Sequence, residues 1–105
     1  MRKRLAGFEE LVLLAAASLR AEAYGVTVQH RLAQETGSQV AIGAVYAVLD
    51  RLERKGLVRS EWGDATPQRG GRRKRMFRVT ASGLAALREM RSIRSRLSEP
   101  VPRPA

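Results

Sequence analysis

Residues 42–57 read IGAVYAVLDRLERKGL, and the fold follows from them. Ile42, Val45, Leu49 and Leu52 recur with a period near 3.6, which predicts one apolar stripe on an amphipathic helix. Gly56 should end it, with Arg54 and Lys55 in the last turn, where positive charge suits the exposed carbonyls. The opposite face begins with the small residues Gly43, Ala44 and Ala47. It continues with Tyr46, Arg51 and Arg54. Small residues allow close approach to another surface, and tyrosine and arginine beyond them reach phosphates. A recognition helix in a DNA major groove has that build, although an ordinary solvated helix also carries cations.

Working outward, residues 26–35 predict a shorter helix closed by Thr36-Gly37-Ser38, with Val28, Leu32 and Ala33 inward. The link through Gly37–Ala41 is short, so the two helices form a helix-turn-helix pair. Upstream, residues 8–20 (FEELVLLAAASLR) predict a helix with Gly7 as its cap and Glu9 and Glu10 in its first turn. It is apolar nearly all round, which calls for burial on two sides. Met1–Arg4 is a short basic arm, read as a frayed terminus.

Downstream, 57–62 and 76–80 alternate weakly and more clearly, respectively, with Phe77 and Val79 on one side. Between them lies GDATPQRGGRRKR. Arg69, Gly70, Gly71, Arg72, Arg73 and Lys74 make this a glycine-containing cationic loop on a two-stranded hairpin, a wing suited to phosphates. Trp62 reads as a cap on the small sheet. Residues 81–97 predict a last helix behind Thr80 as N-cap, with an apolar stripe of Leu84, Leu87, Met90, Ile93 and Leu97. That stripe reads as a dimer surface rather than monomer core, meeting Phe8 and Leu11 of a partner. Residues 99–105 hold three prolines and read as a disordered tail.

Composition narrows the function. The 105 residues carry 20 Lys+Arg against 10 Asp+Glu, a net +10, which favours a polyanionic partner. Residues 57–80 hold seven positive and two negative charges, so the excess gathers at the hairpin. Cysteine is absent, which excludes disulfides and thiolate metal sites. His30, the one histidine, has no second ligand at metal spacing. No general acid–base pair or cofactor motif stands out, so an enzyme is not expected. The apolar run 11–17 is too short to span a bilayer, and a cytoplasmic protein is expected. Two rivals to DNA binding are a protein-interaction winged helix, which would need an apolar face on the 42–54 helix, and a membrane-surface binder using the last helix.

Several segments in order, FEELVLLAAASL, AEAYGVTVQHRLAQETG, GAVYAVLDRLERKGLV and GGRRKRMFRVTASGLAAL, resemble the PadR family of bacterial transcriptional regulators over residues 5–97. The resemblance implies a mainly α fold with a two-stranded wing: a winged helix-turn-helix over 1–80, its wing at about 57–80. It implies a dimerisation helix over 81–98. It also implies a homodimer that binds double-stranded DNA at a palindromic operator, usually as a repressor. Gly43, Ala44, Tyr46 and Arg51 match family positions on the DNA-facing helix, Tyr46 one that touches the DNA backbone, and 69–74 match the wing. Hydroxyls that the family often has near Ala41 and Ala44 are missing. The interface aromatics of drug-binding members are also missing, so no small-molecule effector is indicated.

Overall fold

The computed structural model describes residues 7–63 and 74–98. Helix α1 spans Gly7–Leu19 and runs through a 3-10 turn, Arg20–Glu22, to α2, Gly25–Thr36. Helix α3 spans Ile42–Arg54, strands β1 and β2 span Val58–Trp62 and Arg75–Val79, and α4 spans Ala81–Ser98. The strands pair antiparallel, Val58 opposite Val79 and Trp62 opposite Arg75. This is the expected winged helix-turn-helix: mostly helical, with a two-stranded sheet.

Local chemistry sets the ends. Gly37 closes α2 at φ 70° and donates its N–H to the Ala33 carbonyl at 3.0 Å. Gly56 closes the α3 turn at φ 77°, a left-handed conformation that suits a residue without Cβ. Thr80 caps α4: its hydroxyl accepts from the Gly83 N–H at 3.0 Å and donates to the Gly56 carbonyl at 2.7 Å. Gly83 is buried there because α4 starts against the Leu57 carbonyl.

The core gathers Val12 and Leu13 from α1, Val28 and Leu32 from α2, Val45, Val48, Leu49 and Leu52 from α3, and Leu57, Val58 and Phe77 from the hairpin. The core side of α1 is Val12, Leu13, Ala15 and Ala16, and Phe8, Leu11 and Leu14 stand outward. Three expectations need correction. Ile42 is exposed at the first turn of α3, and Val48 takes the fourth place in its buried stripe. Leu87, expected on a dimer surface, is only 9% exposed and joins the chain's own core, with Met90 packed on it. The physical reason is that α4 folds back on α1, so one turn of its stripe meets the monomer before any partner can. Trp62, expected as a buried cap, is 60% exposed. On the same face of the hairpin Phe77 is buried and Ser60 half-buried.

The segment before α2 also does more than break a helix. Tyr24 forms an isolated bridge with Met76, and the Phe77 N–H donates to the Ala23 carbonyl at 2.8 Å. These contacts tie the start of α2 to the edge of the hairpin.

Candidate nucleic-acid interface

Helix α3 is held on three sides, and the fourth is open. Its four buried residues face the core. At its start, the Gln29 side-chain amide of α2 donates to the Val40 carbonyl at 2.7 Å, which fixes the angle of the helix-turn-helix. Ala41 sits in the cap position without a side-chain cap, so the first N–H groups of α3 have no hydroxyl at that position.

At its far end, Lys55 places its Nζ 2.9 and 3.0 Å from the two carboxylate oxygens of Glu9. Arg51 approaches the same carboxylate at 3.7 Å. Glu9 is 4% exposed and Glu10 5%, and Glu10 pairs with Arg94 of α4. The sequence placed these acids in the first turn of α1, where negative charge is favoured. They lie on the inner side of α1 and bind cations from α3 and α4, because a buried carboxylate is costly without a paired charge.

The hairpin is clamped to α3 by Arg75. Its guanidinium meets Asp50 at 2.9 Å and Glu53 at 2.7 Å. Glu53 also accepts from the Ser60 hydroxyl at 2.7 Å and the Ser60 N–H at 2.9 Å. The Ser60 side-chain bond, more than the Arg75 charge, holds the Glu53 carboxyl below its ordinary range against a partial desolvation. It is therefore ionised at neutral pH and keeps the clamp closed. Neither Arg75 nor Lys55 is a loose cation, and Arg51, half exposed, is shared with Glu9.

Outward on α3 are Ile42, Gly43, Ala44, Ala47, Arg51 and Arg54. Gly43, Ala44 and Ala47 are the small residues singled out from the sequence, and all three are exposed. Tyr46 is half-buried and packs against the core. Its ring end lies on Gly25, where a Cβ would come within 2.8 Å of Cε1 and closer still to Cζ and the hydroxyl. Gly25 thus makes a seat for the Tyr46 ring, which local sequence could not show. Gly25→Ala is expected to displace that ring and cost about 1–3 kcal/mol as an overpacked site. Urea unfolding measures it, and an unchanged midpoint would show that the ring is not seated there.

On the wing, Lys74 lies 4.3 Å from the centre of the Tyr24 ring, with Nζ 3.3 Å from its hydroxyl. The other wing residues singled out from the sequence, Arg69, Gly70, Gly71, Arg72 and Arg73, lie outside the described residues. In sequence they lie between β1 and β2.

Comparison with known proteins agrees with this fold. Residues 13–89 match the model of the Transcriptional regulator PadR-like family. A solved PadR-family transcriptional regulator from Eggerthella lenta is 34% identical, with a TM-score of 0.69 over 87% of this chain and 77% of that one. A PadR-like transcription factor from Bacteroides fragilis shares the fold at a TM-score of 0.75 and 24% identity, over 90% of this chain and 85% of that one. An uncharacterized protein of Lysinibacillus sphaericus is 32% identical over 74 residues, 69% of this chain. The match spans 65% of that relative's length.

Proposed function

Since the chain belongs to the transcriptional regulator PadR-like family, we propose that it binds double-stranded DNA as a homodimer and represses transcription from a palindromic operator. The observation that carries this reading is the open face of α3. Its small residues Gly43, Ala44 and Ala47 stand outward on a helix braced by α1, α2 and the hairpin. Gly43 and Ala44 let the helix backbone approach base edges, and Arg51 and Arg54 supply charge further along. Tyr46, seated on Gly25, borders this face and in this reading touches the DNA backbone. Arg69, Gly70, Gly71, Arg72, Arg73 and Lys74 act as the wing, against the adjacent minor groove or its phosphates. The 1–80 segment is then the DNA-binding part.

Dimerisation is supported by apolar surface left outward on α1 and α4. Phe8, Leu11 and Leu14 are exposed on α1, and Leu84 and Leu97 on α4. A small domain gains stability when a second copy covers such a surface. Leu97 is the most exposed of them, at 80%, and Ile93 is half-buried. The interface proposed here therefore uses Phe8, Leu11, Leu14, Leu84, Ile93 and Leu97. Two recognition helices so joined read half-sites about one DNA turn apart. Repression is then steric: the dimer covers a promoter. No helix among the described residues is long and apolar enough to cross a membrane, and a regulator of this kind works in the cytoplasm beside its DNA.

Fluorescence anisotropy tests the reading, with DNA from upstream of the gene against a scrambled duplex across a salt series. Binding to the upstream DNA should persist at salt where the scrambled duplex is released. Loss of both together would leave only phosphate attraction and overturn sequence specificity. Sedimentation in the same buffer should give twice the chain mass.

A further inference from the structure

Trp62 is the one tryptophan of the chain, and it ends β1 with 60% of its surface exposed. A single exposed apolar residue is ordinary on a protein surface. The position of this one is not. It stands opposite Arg75 in the antiparallel register, and residues directly opposite share a face of the sheet. That face is the one turned to α3. Arg75 reaches Asp50 and Glu53 from it, and Ser60, two residues before Trp62, donates its hydroxyl to Glu53 at 2.7 Å. The ladder continues one step beyond, where the Gly63 N–H donates to the Lys74 carbonyl at 2.7 Å. From there the chain runs into the segment holding Arg69, Arg72 and Arg73. Trp62 thus ends β1 on the sheet face that Arg75 turns to α3, and in sequence it is followed by the most cationic stretch of the chain.

We propose that Trp62 is a further DNA-contacting residue, which packs its indole against the sugar–phosphate strand between the groove entered by α3 and the wing. This rests on the DNA-binding reading above and adds a residue and a mode of contact to it. Deoxyribose carbons present the apolar surface that an aromatic ring covers, and the indole N–H is a donor for a phosphate oxygen. Arg51 and Arg54 on the open face of α3, within a chain of net charge +10, supply the attraction that brings a polyanion to this surface, which favours duplex DNA over an apolar partner. A contact of this kind positions the duplex without reading its bases, so its loss should weaken binding to every sequence alike.

The full chain carries its own reporter. Tryptophan emission, excited at the red edge where DNA does not absorb, reports Trp62 alone. Acrylamide quenching is measured for the protein across a concentration range and again with saturating labelled duplex, saturation being read by anisotropy. Saturating duplex should reduce quenching roughly twofold or more, as expected when one face of an exposed ring is covered. Trp62→Ala should bind upstream and scrambled duplex about 5- to 10-fold more weakly, the effect of returning part of an aromatic surface to water. Its melting temperature should not move, and Trp62→Phe should keep most of the affinity. Unchanged quenching at saturation, or wild-type affinity in Trp62→Ala, overturns the proposal while DNA binding stands. Protection that grows with protein concentration alone also overturns it, since the occupant would be a second copy. Absence of binding to any duplex at low salt defeats the DNA-binding reading itself, and this contact with it.

Discussion

Gly83→Ala is expected to cost about 3 kcal/mol or to prevent folding, although alanine is the better helix former by about 1 kcal/mol. The sign of the effect is therefore decisive. A Cβ on Gly83 would stand 2.7 Å from Val79 Cγ1 and 3.2 Å from the Leu57 carbonyl carbon, and would overlap the Leu57 carbonyl oxygen. Two of those three atoms are backbone and cannot swing aside. Moving α4 outward instead would strain the Thr80 cap, whose hydroxyl and N–H tie the helix to Gly56 and Leu57 at 2.7 and 3.0 Å. It would also uncover Leu87. Gly43→Ala is the internal comparison. Gly43 is also helical, but a Cβ there meets nothing within 4 Å, so this change should stabilise the chain by up to about 1 kcal/mol. Urea unfolding of both variants checks the pair. If Gly83→Ala were as stable as Gly43→Ala, the close docking of α4 on the α3–β1 corner would be wrong.

The second large effect is on binding. Arg72→Ala with Arg73→Ala should lower affinity about 100-fold at moderate salt, for upstream and scrambled DNA alike. Each lost phosphate contact flattens the plot of log K against log salt by about 0.9, so a dimer that loses four should flatten by up to about 3.6. Folding should be untouched, because the cations that hold the described structure are others: Lys55 on Glu9, Arg75 on Asp50 and Glu53, Arg94 on Glu10. Salt-dependent anisotropy measures the slope. An unaltered slope would remove the wing from the DNA contact and leave α3 alone to account for affinity.

These two expectations draw on different kinds of information. The wing arginines are legible as a charge run between two alternating segments, and their number alone sets the expected slope. The Gly83 effect is invisible until α4 is seen against Leu57. The same division holds for Tyr46. Periodicity places it beside the outward face of α3, but only the fold shows that Gly25 makes its seat.

The order of elements, the helix-turn-helix, the cationic hairpin and the family resemblance were all determined by the sequence itself. They rest on local matters: apolar period, glycine at helix ends, a hydroxyl at a cap, and motifs in fixed order. Tertiary structure alone decided what meets what. Glu9 finds Lys55 at a separation of 46 residues, and Glu10 finds Arg94 at 84. It turned Glu9 and Glu10 from dipole partners into buried anchors and Arg75 from a wing cation into a clamp. It also drew Leu87 into the core and left Trp62 outside. A period reports how many faces a helix has, but which face is covered depends on the neighbour that arrives, and that neighbour lies far along the chain.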